Sequence, residues 1–233
     1  MLTKDRDFAL AKILLARYGR TFSEELEINI HENTPSSLFR LLVATILFSA
    51  RISAKLAKQA ARALTEQGWT TPEKLVAASW EERTQTLNRS GYARYDDRMS
   101  RMLEDSAQLL LDRYQGDLRK LREDAGRNIA LERQLLKEFK GIGNVGVDIF
   151  LREVQVAWEE LFPFADERAC QNARTLGLPA DAMALLELVG KDDLPRFLSA
   201  LVRVGLTGER EAVLEELHKT ENAMYASGKP IND

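Results

Sequence analysis

Apolar residues recur along most of the chain at the three- and four-residue intervals of an amphipathic helix. The clearest stripe predicts a long helix over residues 96–114, whose apolar positions are Met99, Met102, Leu103, Leu110 and Leu111. The same spacing predicts helices over about 3–18, 35–50, 53–67 and from 128 or 129 into a glycine turn, with three or four more after residue 166. Apolar and polar residues alternate convincingly nowhere, so the pattern predicts an all-α fold.

Residues that favour helix ends mark several boundaries. Pro35 and Ser53 favour helix starts, and Ser79 with Glu82 has the spacing of a capping box. Gly19 and Gly68 favour helix ends, because glycine adopts the left-handed conformation at low cost.

Length and composition describe a globular protein of one large domain or two small ones. The 233 residues are 45% hydrophobic and 30% charged. The longest apolar run, residues 41–48, is far shorter than the ~18 residues of a membrane span. The first seven residues are too charged for a secretory signal. The single cysteine, Cys170, excludes an internal disulfide and fits a reducing compartment, so we expect a cytoplasmic protein without a membrane partner.

The net charge argues mildly against nucleic acid as a partner. The chain has 33 basic and 36 acidic residues and a net charge of −3, whereas strong non-specific DNA binders are usually basic. A basic face remains compatible with a near-neutral total, and residues at helical spacing that would form one are Arg94, Arg98 and Arg101 with Arg51, Lys55 and Lys58. The alternative is that these residues lie on ordinary solvated helix faces.

The most informative segment is residues 139–152, which reads as a helix end, a Gly-Ile-Gly turn and a second helix. Apolar residues lie on both sides of the turn, namely Leu135, Leu136 and Phe139 before it and Val145, Ile149 and Phe150 after it. Gly141 and Gly143 allow the backbone to pass close to another surface and to adopt positive φ. We expect Asn144 to be the N-cap of the second helix, whose first N–H groups then face outward. Such a helix start can bind a phosphate without a basic side chain.

Three further segments carry a family resemblance. Residues 42–51 look like the apolar helix that ends in Ser-Ala-Gln in endonuclease III-type proteins, and residues 90–95 resemble the Gly-aromatic turn before a long helix. Residues 163–169 are similar to the segment that holds the catalytic aspartate of those proteins. Together with the hairpin, their order and spacing resemble the helix-hairpin-helix DNA glycosylase superfamily over roughly residues 35–180.

The resemblance implies a protein of two helical lobes with DNA bound across a cleft. One lobe spans residues 30–160 and contains the hairpin at about 130–157, and the other combines 1–29 with 161–233. A damaged or mismatched base is flipped from the duplex in this family, because its glycosidic bond cannot be reached inside the stack. The hairpin residues that would bind backbone phosphates are Lys140, Gly141, Ile142, Gly143, Asn144, Val145 and Gly146. A K⁺ or Na⁺ ion would bind the carbonyls of Lys140 and Ile142.

Asp166 is the catalytic residue that the resemblance implies. Glycosidic cleavage develops positive charge on the sugar, which a fixed carboxylate stabilises, or the carboxylate orients a water molecule. The simpler interpretation is that Asp166 is the N-cap of a helix that begins at Glu167. One carboxylate can serve both roles in this family.

Two departures from the family restrict the chemistry. Bifunctional members carry a lysine two residues after the second glycine, which forms a Schiff base with the sugar; Val145 is at that position, and valine is not a nucleophile. Lys140 lies on the other side of the turn and does not replace it. The iron–sulfur cluster of the family needs four cysteines, so we expect neither this cluster nor a metal held by side chains.

Other DNA contacts are expected from position within the motifs. Arg51 replaces the glutamine that fills the hole left by the flipped base, and Tyr92 and Arg94 lie in the turn that contacts the opposite strand. Candidates for the base pocket are Phe48, Tyr95 and Phe164, together with Trp158, although aromatic residues at helical spacing are more often core. The sequence leaves the base substrate open.

Three hypotheses follow from the sequence. The first is a monomeric, monofunctional DNA glycosylase that hydrolyses the N-glycosidic bond of a damaged or mismatched base and lacks lyase activity. The second is a catalytically inactive protein of the same fold that recognises abasic or distorted DNA. The third is a helical interaction protein in which the hairpin only packs.

Overall fold

The regular structure of the protein is helical. A computed structural model describes residues 3–93 and 95–227, and within these ranges we find helices and no strand. In chain order the α-helices are α1 (Thr3–Tyr18), α2 (Phe22–Glu25), α3 (Pro35–Ser49), α4 (Ala54–Glu66), α5 (Pro72–Ala77), α6 (Trp80–Leu87), α7 (Asp96–Tyr114), α8 (Leu118–Asp124), α9 (Ile129–Leu136), α10 (Asn144–Val154), α11 (Glu167–Thr175), α12 (Ala182–Val189), α13 (Leu194–Thr207) and α14 (Arg210–Ser227). Short 3₁₀ turns cover Ile30–Glu32 and Glu159–Leu161, and a π-helical turn covers Asn88–Tyr92. The predicted all-α fold is confirmed.

The predicted helix starts agree with the capping side chains. Ser53 accepts a hydrogen bond from the Leu56 backbone N–H at the start of α4. Ser79 and Glu82 form the expected capping box at the start of α6, because each side chain accepts from the backbone N–H of the other residue. These boundaries depend on residues within one turn of the helix end, which explains why the sequence predicts them.

The chain divides into two compact units. One contains the described residues up to Phe22 and those from Pro163 onward, and the other is Ser23–Phe162. In the first unit, α13 packs against α1 and α11, and α14 packs against α1. The fully buried side chains there include Leu10 of α1 and Phe197 of α13.

The unit Ser23–Phe162 is built around α3. This helix packs mainly against α4 and α10, with further contacts to α7 and α8. Its residues from Leu41 to Leu47 are all buried, as expected for a helix that is apolar on every side. Because α3 contacts α10 directly, it supports the second helix of the glycine hairpin.

A buried arginine ties α5, α6 and α7 together in this unit. Arg83 of α6 is fully buried, and its guanidinium donates to the Leu75 carbonyl at 3.2 Å, the Ser100 hydroxyl at 3.3 Å and the Ala78 carbonyl. It also forms an ion pair with Glu104. These partners offset the cost of removing the charge from water.

A second buried charge cluster lies at the start of the hairpin. Glu132 of α9 is fully buried, and neither of its carboxyl oxygens accepts a hydrogen bond from a donor within the described residues. Arg122 pairs with Glu160 and lies 5.5 Å from the centre of the Trp158 ring. Burial, and then the neighbouring Glu160 carboxylate, raise the pKa of Glu132 to about 7, while Arg122 acts in the opposite direction.

Glu132→Gln is therefore expected to stabilise the protein more at pH 8 than at pH 5. A carboxyl group with a pKa of about 7 in the folded state binds its proton more tightly than in the unfolded chain, so wild-type stability falls as the pH rises through 7. Glutamine does not ionise, so the variant does not lose stability in this way as the pH rises. Thermal unfolding should show a gain of ~2–4 °C at pH 8 that disappears at pH 5. Glu123→Gln, at an exposed position on α8, should shift the midpoint equally at both pH values.

Within the described ranges, none of the helices has both the length and the apolar character that crossing a membrane requires.

Candidate functional site

The hairpin between α9 and α10 buries its apolar side chains and exposes its backbone. Phe139 and Ile142 are buried, and the Phe139 ring stacks on Tyr114 with 6.3 Å between centroids. The residues between and after them, Lys140, Gly141 and Gly143, are exposed. The two buried side chains thus anchor the turn, and its main chain faces the solvent.

Two glycines of the hairpin lie against side chains inside the protein. Gly141 has a φ of +88°, and a Cβ atom there would lie 2.4 Å from Met102 Cε and 3.1 Å from Ile46 Cγ2. A Cβ atom on Gly146 would lie 2.7 Å from Ser49 Oγ. A side chain at position 141 would be strained by the positive φ and would displace the Met102 side chain, and one at position 146 would displace the Ser49 hydroxyl.

Gly143 differs from these two glycines because its missing side chain faces open space. Its backbone is extended, with a φ of −103° and a ψ of −163°, and no heavy atom lies within 4 Å of the position of a Cβ atom. No internal contact therefore requires a glycine here. An external surface that approaches the main chain closely would require one.

Gly143 is the N-cap of α10, and the prediction that Asn144 has this role is wrong. Asn144 is the first helical residue, and no side chain caps the helix. The first bond along the helix runs from the Val147 N–H to the Gly143 carbonyl, at 3.0 Å. The N–H groups of Asn144, Val145 and Gly146 consequently have no acceptor within α10. Together with the partial positive charge of the helix start, they form a site that suits an anion.

Val145 lies on the surface of this helix start. Its side chain is 59% exposed, whereas Phe150, later in the same helix, is buried. Val145 occupies the position at which the family resemblance expects a nucleophilic lysine. An exposed valine beside the free N–H groups can make van der Waals contacts, but it cannot donate or accept a proton.

Two acidic residues near the glycine turn are paired with arginines. Asp148 of α10 lies 2.8 Å from Arg133 of α9, and Glu138 forms an ion pair with Arg113 of α7. Each pair neutralises a carboxylate that would otherwise repel an anion at the start of α10. The pairs also link the two helices of the hairpin to each other and to α7.

One of the two carbonyls predicted to bind a monovalent cation has a partner in the protein. The Lys140 carbonyl accepts a hydrogen bond from Ser106 Oγ of α7 at 3.3 Å, which draws this oxygen toward α7. A cation held by the carbonyls of Lys140 and Ile142 would compete with this contact. The ion remains a proposal.

The other predicted DNA contacts differ in exposure. Arg51 is exposed, just beyond the end of α3. Tyr92 is only 2% exposed, and burial, followed by the nearby Tyr95, raises its pKa to about 12. The proposed DNA interface therefore does not include the Tyr92 side chain. Arg94 lies outside the described residues.

The aromatic candidates for a base pocket separate into two groups. Phe48 is half-buried and Tyr95 is exposed, and both belong to the unit that contains the hairpin. Phe164 is half-buried and belongs to the other unit. Trp158 is core, because it is fully buried, packs edge-on against Phe150 at 5.7 Å and donates its indole N–H to Asn33.

Asp166 is the N-cap of α11, as the sequence predicts. Its Oδ1 accepts from the backbone N–H groups of Arg168 at 3.0 Å and Ala169 at 3.1 Å, and the residue is 3% exposed. Cys170, one turn later, is also buried; burial and then the Asp166 charge raise the pKa of its thiol. The local sequence thus fixes the direction of the Asp166 carboxylate on a rigid helix start.

Side chains that commonly bind metals are not grouped in the part of the chain that the structure describes. Residues 3–93 and 95–227 contain no cluster of three or more His, Cys, Asp and Glu side chains arranged to hold an ion.

Two solved structures resemble this chain along most of its length. One is a trapped covalent intermediate of endonuclease III with DNA, in an estranged-adenine complex, and the other is a non-covalent endonuclease III–DNA complex. Both are 20% identical in sequence over 88% of this chain and 86% of theirs, with TM-scores of 0.53 and 0.54. The chain has the endonuclease III fold. Neither a protein-family model nor a curated protein matches the sequence.

The endonuclease III fold was predicted from motifs that are contiguous in sequence, and those motifs did not reveal which residues support the hairpin. Met102 and Ser106 of α7 contact the turn although they lie more than thirty residues before it. The sequence gives only a weak indication of this role, because Ser106 is a polar residue within the apolar stripe of α7. The structure shows that Ser106 is buried.

Proposed function

We propose that the protein binds duplex DNA through the hairpin and hydrolyses the N-glycosidic bond of a damaged or mismatched base. The observation that carries the proposal is the uncapped start of α10 at an exposed glycine turn, on the endonuclease III fold. Both related structures hold DNA, and one of them holds it as a covalent intermediate.

DNA binding is supported by the chemistry of the helix start. The N–H groups of Asn144, Val145 and Gly146 would donate to a backbone phosphate, and the glycine at position 143 would let the phosphate approach the main chain. Contacts of this kind position the protein without reading the base sequence. They also explain how a chain with a net charge of −3 can bind a polyanion locally.

The proposed reaction is hydrolysis without a protein nucleophile at the hairpin. The bond between C1′ and the base nitrogen breaks and its electron pair leaves with the base; water adds to C1′, and the proton that it loses ends on the released base. The Asp166 carboxylate would stabilise the positive charge on the sugar or orient this water. Val145 cannot form a Schiff base, so strand cleavage by that route is not expected.

A second candidate is a DNA-binding protein without catalytic activity that recognises abasic or distorted DNA. Two observations favour it: Val145 replaces the family nucleophile, and Asp166 Oδ1 already accepts two backbone hydrogen bonds. The two candidates share the hairpin and differ only in the chemistry.

The test is base release from duplex DNA that has been randomly alkylated, oxidised or deaminated. We expect at least one of these substrates to lose a base without strand cleavage, and borohydride to trap no covalent complex with the protein. Binding of an abasic duplex without release from any substrate would support the second candidate. Failure to bind any duplex at low salt would overturn both and favour a helical interaction protein.

A further inference from the structure

We infer that one face of α7 positions the hairpin for phosphate binding, and that Ser106 is its principal positioning residue. The inference rests on the proposed function, because it assigns the support of the same phosphate site. The residues of this face contact the hairpin turn directly, and none of them lies in the hairpin sequence itself.

Ser106 contributes a hydrogen bond to the main chain of the turn. Its side chain is buried at 1% exposure, and its Oγ donates to the Lys140 carbonyl at 3.3 Å. Lys140 immediately precedes Gly141, which has the left-handed conformation. The bond therefore fixes the peptide group at which the chain reverses toward α10.

Met102 fixes the same point by packing. Its Cε lies 2.4 Å from the position of a Cβ atom on Gly141, so the methionine fills the space that a larger residue would need. Met102 and Ser106 are four residues apart and lie on one side of α7. Packing and hydrogen bonding thus restrain two adjacent residues of the turn.

The face continues to the end of α7. Arg113, seven residues after Ser106, forms an ion pair with Glu138, and the Tyr114 ring stacks on Phe139. The turn is held at Glu138, Phe139, Lys140 and Gly141 by consecutive contacts with a single helix. A 19-residue helix is a stiff support, so it would restrict the directions of the N–H groups that follow at the start of α10.

The proposal predicts a specific effect of Ser106→Ala. Loss of the hydroxyl leaves the Lys140 carbonyl without this donor and loosens the turn. Two backbone hydrogen bonds can be followed in the free protein. The Ile142 N–H donates to the Phe139 carbonyl, and the Val147 N–H donates to the Gly143 carbonyl. We expect their hydrogen exchange to become several-fold faster, and affinity for a duplex with an abasic-site analogue to fall about fivefold.

Ser100→Ala is the matched control. Ser100 is also buried on α7 and also makes a 3.3 Å hydrogen bond, but its partner is Arg83 and not the hairpin. We expect this variant to keep wild-type exchange at Ile142 and Val147 and wild-type DNA affinity, even if it lowers the melting temperature as much as Ser106→Ala does. Ser106→Cys, which keeps a side chain of similar size and weakens the donor, should resemble Ser106→Ala.

The outcomes separate this inference from the proposed function. Equal exchange and equal affinity in the Ser106→Ala and Ser100→Ala variants would overturn the positioning role. Equal loss of affinity in both variants would also overturn it, since general destabilisation would then explain the effect. Faster exchange in Ser106→Ala with no DNA binding by the wild-type protein would retain the support of the turn and overturn the proposed function.

Discussion

Replacing Gly143 by aspartate is expected to weaken DNA binding about thirtyfold or more while the fold stays at least as stable. Aspartate at an N-cap accepts hydrogen bonds from the N–H groups of the helix start, which are the groups proposed to bind phosphate. Its negative charge also repels the phosphate, and such like-charge contacts cost several kcal/mol at an interface. Affinity for a fixed duplex, measured by fluorescence anisotropy at constant salt, tests the expectation.

The effect on stability should have the opposite sign to the effect on binding. Position 143 has extended backbone and open space around its Cβ, so aspartate fits without strain. An N-cap aspartate stabilises a helix by a few tenths of a kcal/mol relative to glycine. Gly143→Asn has nearly the same shape and no charge, and it should bind at least tenfold better than Gly143→Asp. Wild-type affinity in Gly143→Asp would exclude the start of α10 as the phosphate site.

Asp166→Asn is expected to reduce base release about 10²–10³-fold without a comparable loss of DNA affinity. Removal of one group that stabilises transition-state charge typically has an effect of this size. Asparagine retains an oxygen that can accept from the Arg168 and Ala169 N–H groups, so the cap of α11 is preserved. The measurement is single-turnover base release on the substrate identified by the panel of damaged duplexes.

Asp181→Asn provides the matched control for this variant. Asp181 is the N-cap of α12 in the same unit, and its Oδ1 accepts from the Ala184 N–H at 2.9 Å. The same substitution there should leave base release unchanged and should alter the melting temperature by a similar amount. If Asp166→Asn releases the base at the wild-type rate, the carboxylate takes no part in the reaction and Asp166 is only a helix cap.

The helices and the hairpin motif could be predicted from the sequence. The starts of α4, α6 and α11 are predicted by their N-cap residues, Ser53, Ser79 and Asp166. An N-cap side chain interacts only with backbone groups two or three residues away, so the local sequence is sufficient to predict it. The apolar run of residues 41–48 lies within one predicted helix, and its residues 41–47 are buried. The roles of Asp166 and Arg51 in DNA chemistry remain predictions, since they concern a partner that the chain does not contain.

The contacts of each hairpin position, in contrast, depend on how the helices pack. The sequence pattern Gly-Ile-Gly treats both glycines alike, yet Gly141 makes room for Met102 while Gly143 faces open space. It likewise does not show that Val145 is exposed or that Tyr92 is buried. These properties arise from helices that are distant in sequence, α3 and α7 above all. Local sequence propensity does not predict such contacts, because they form only when the chain packs.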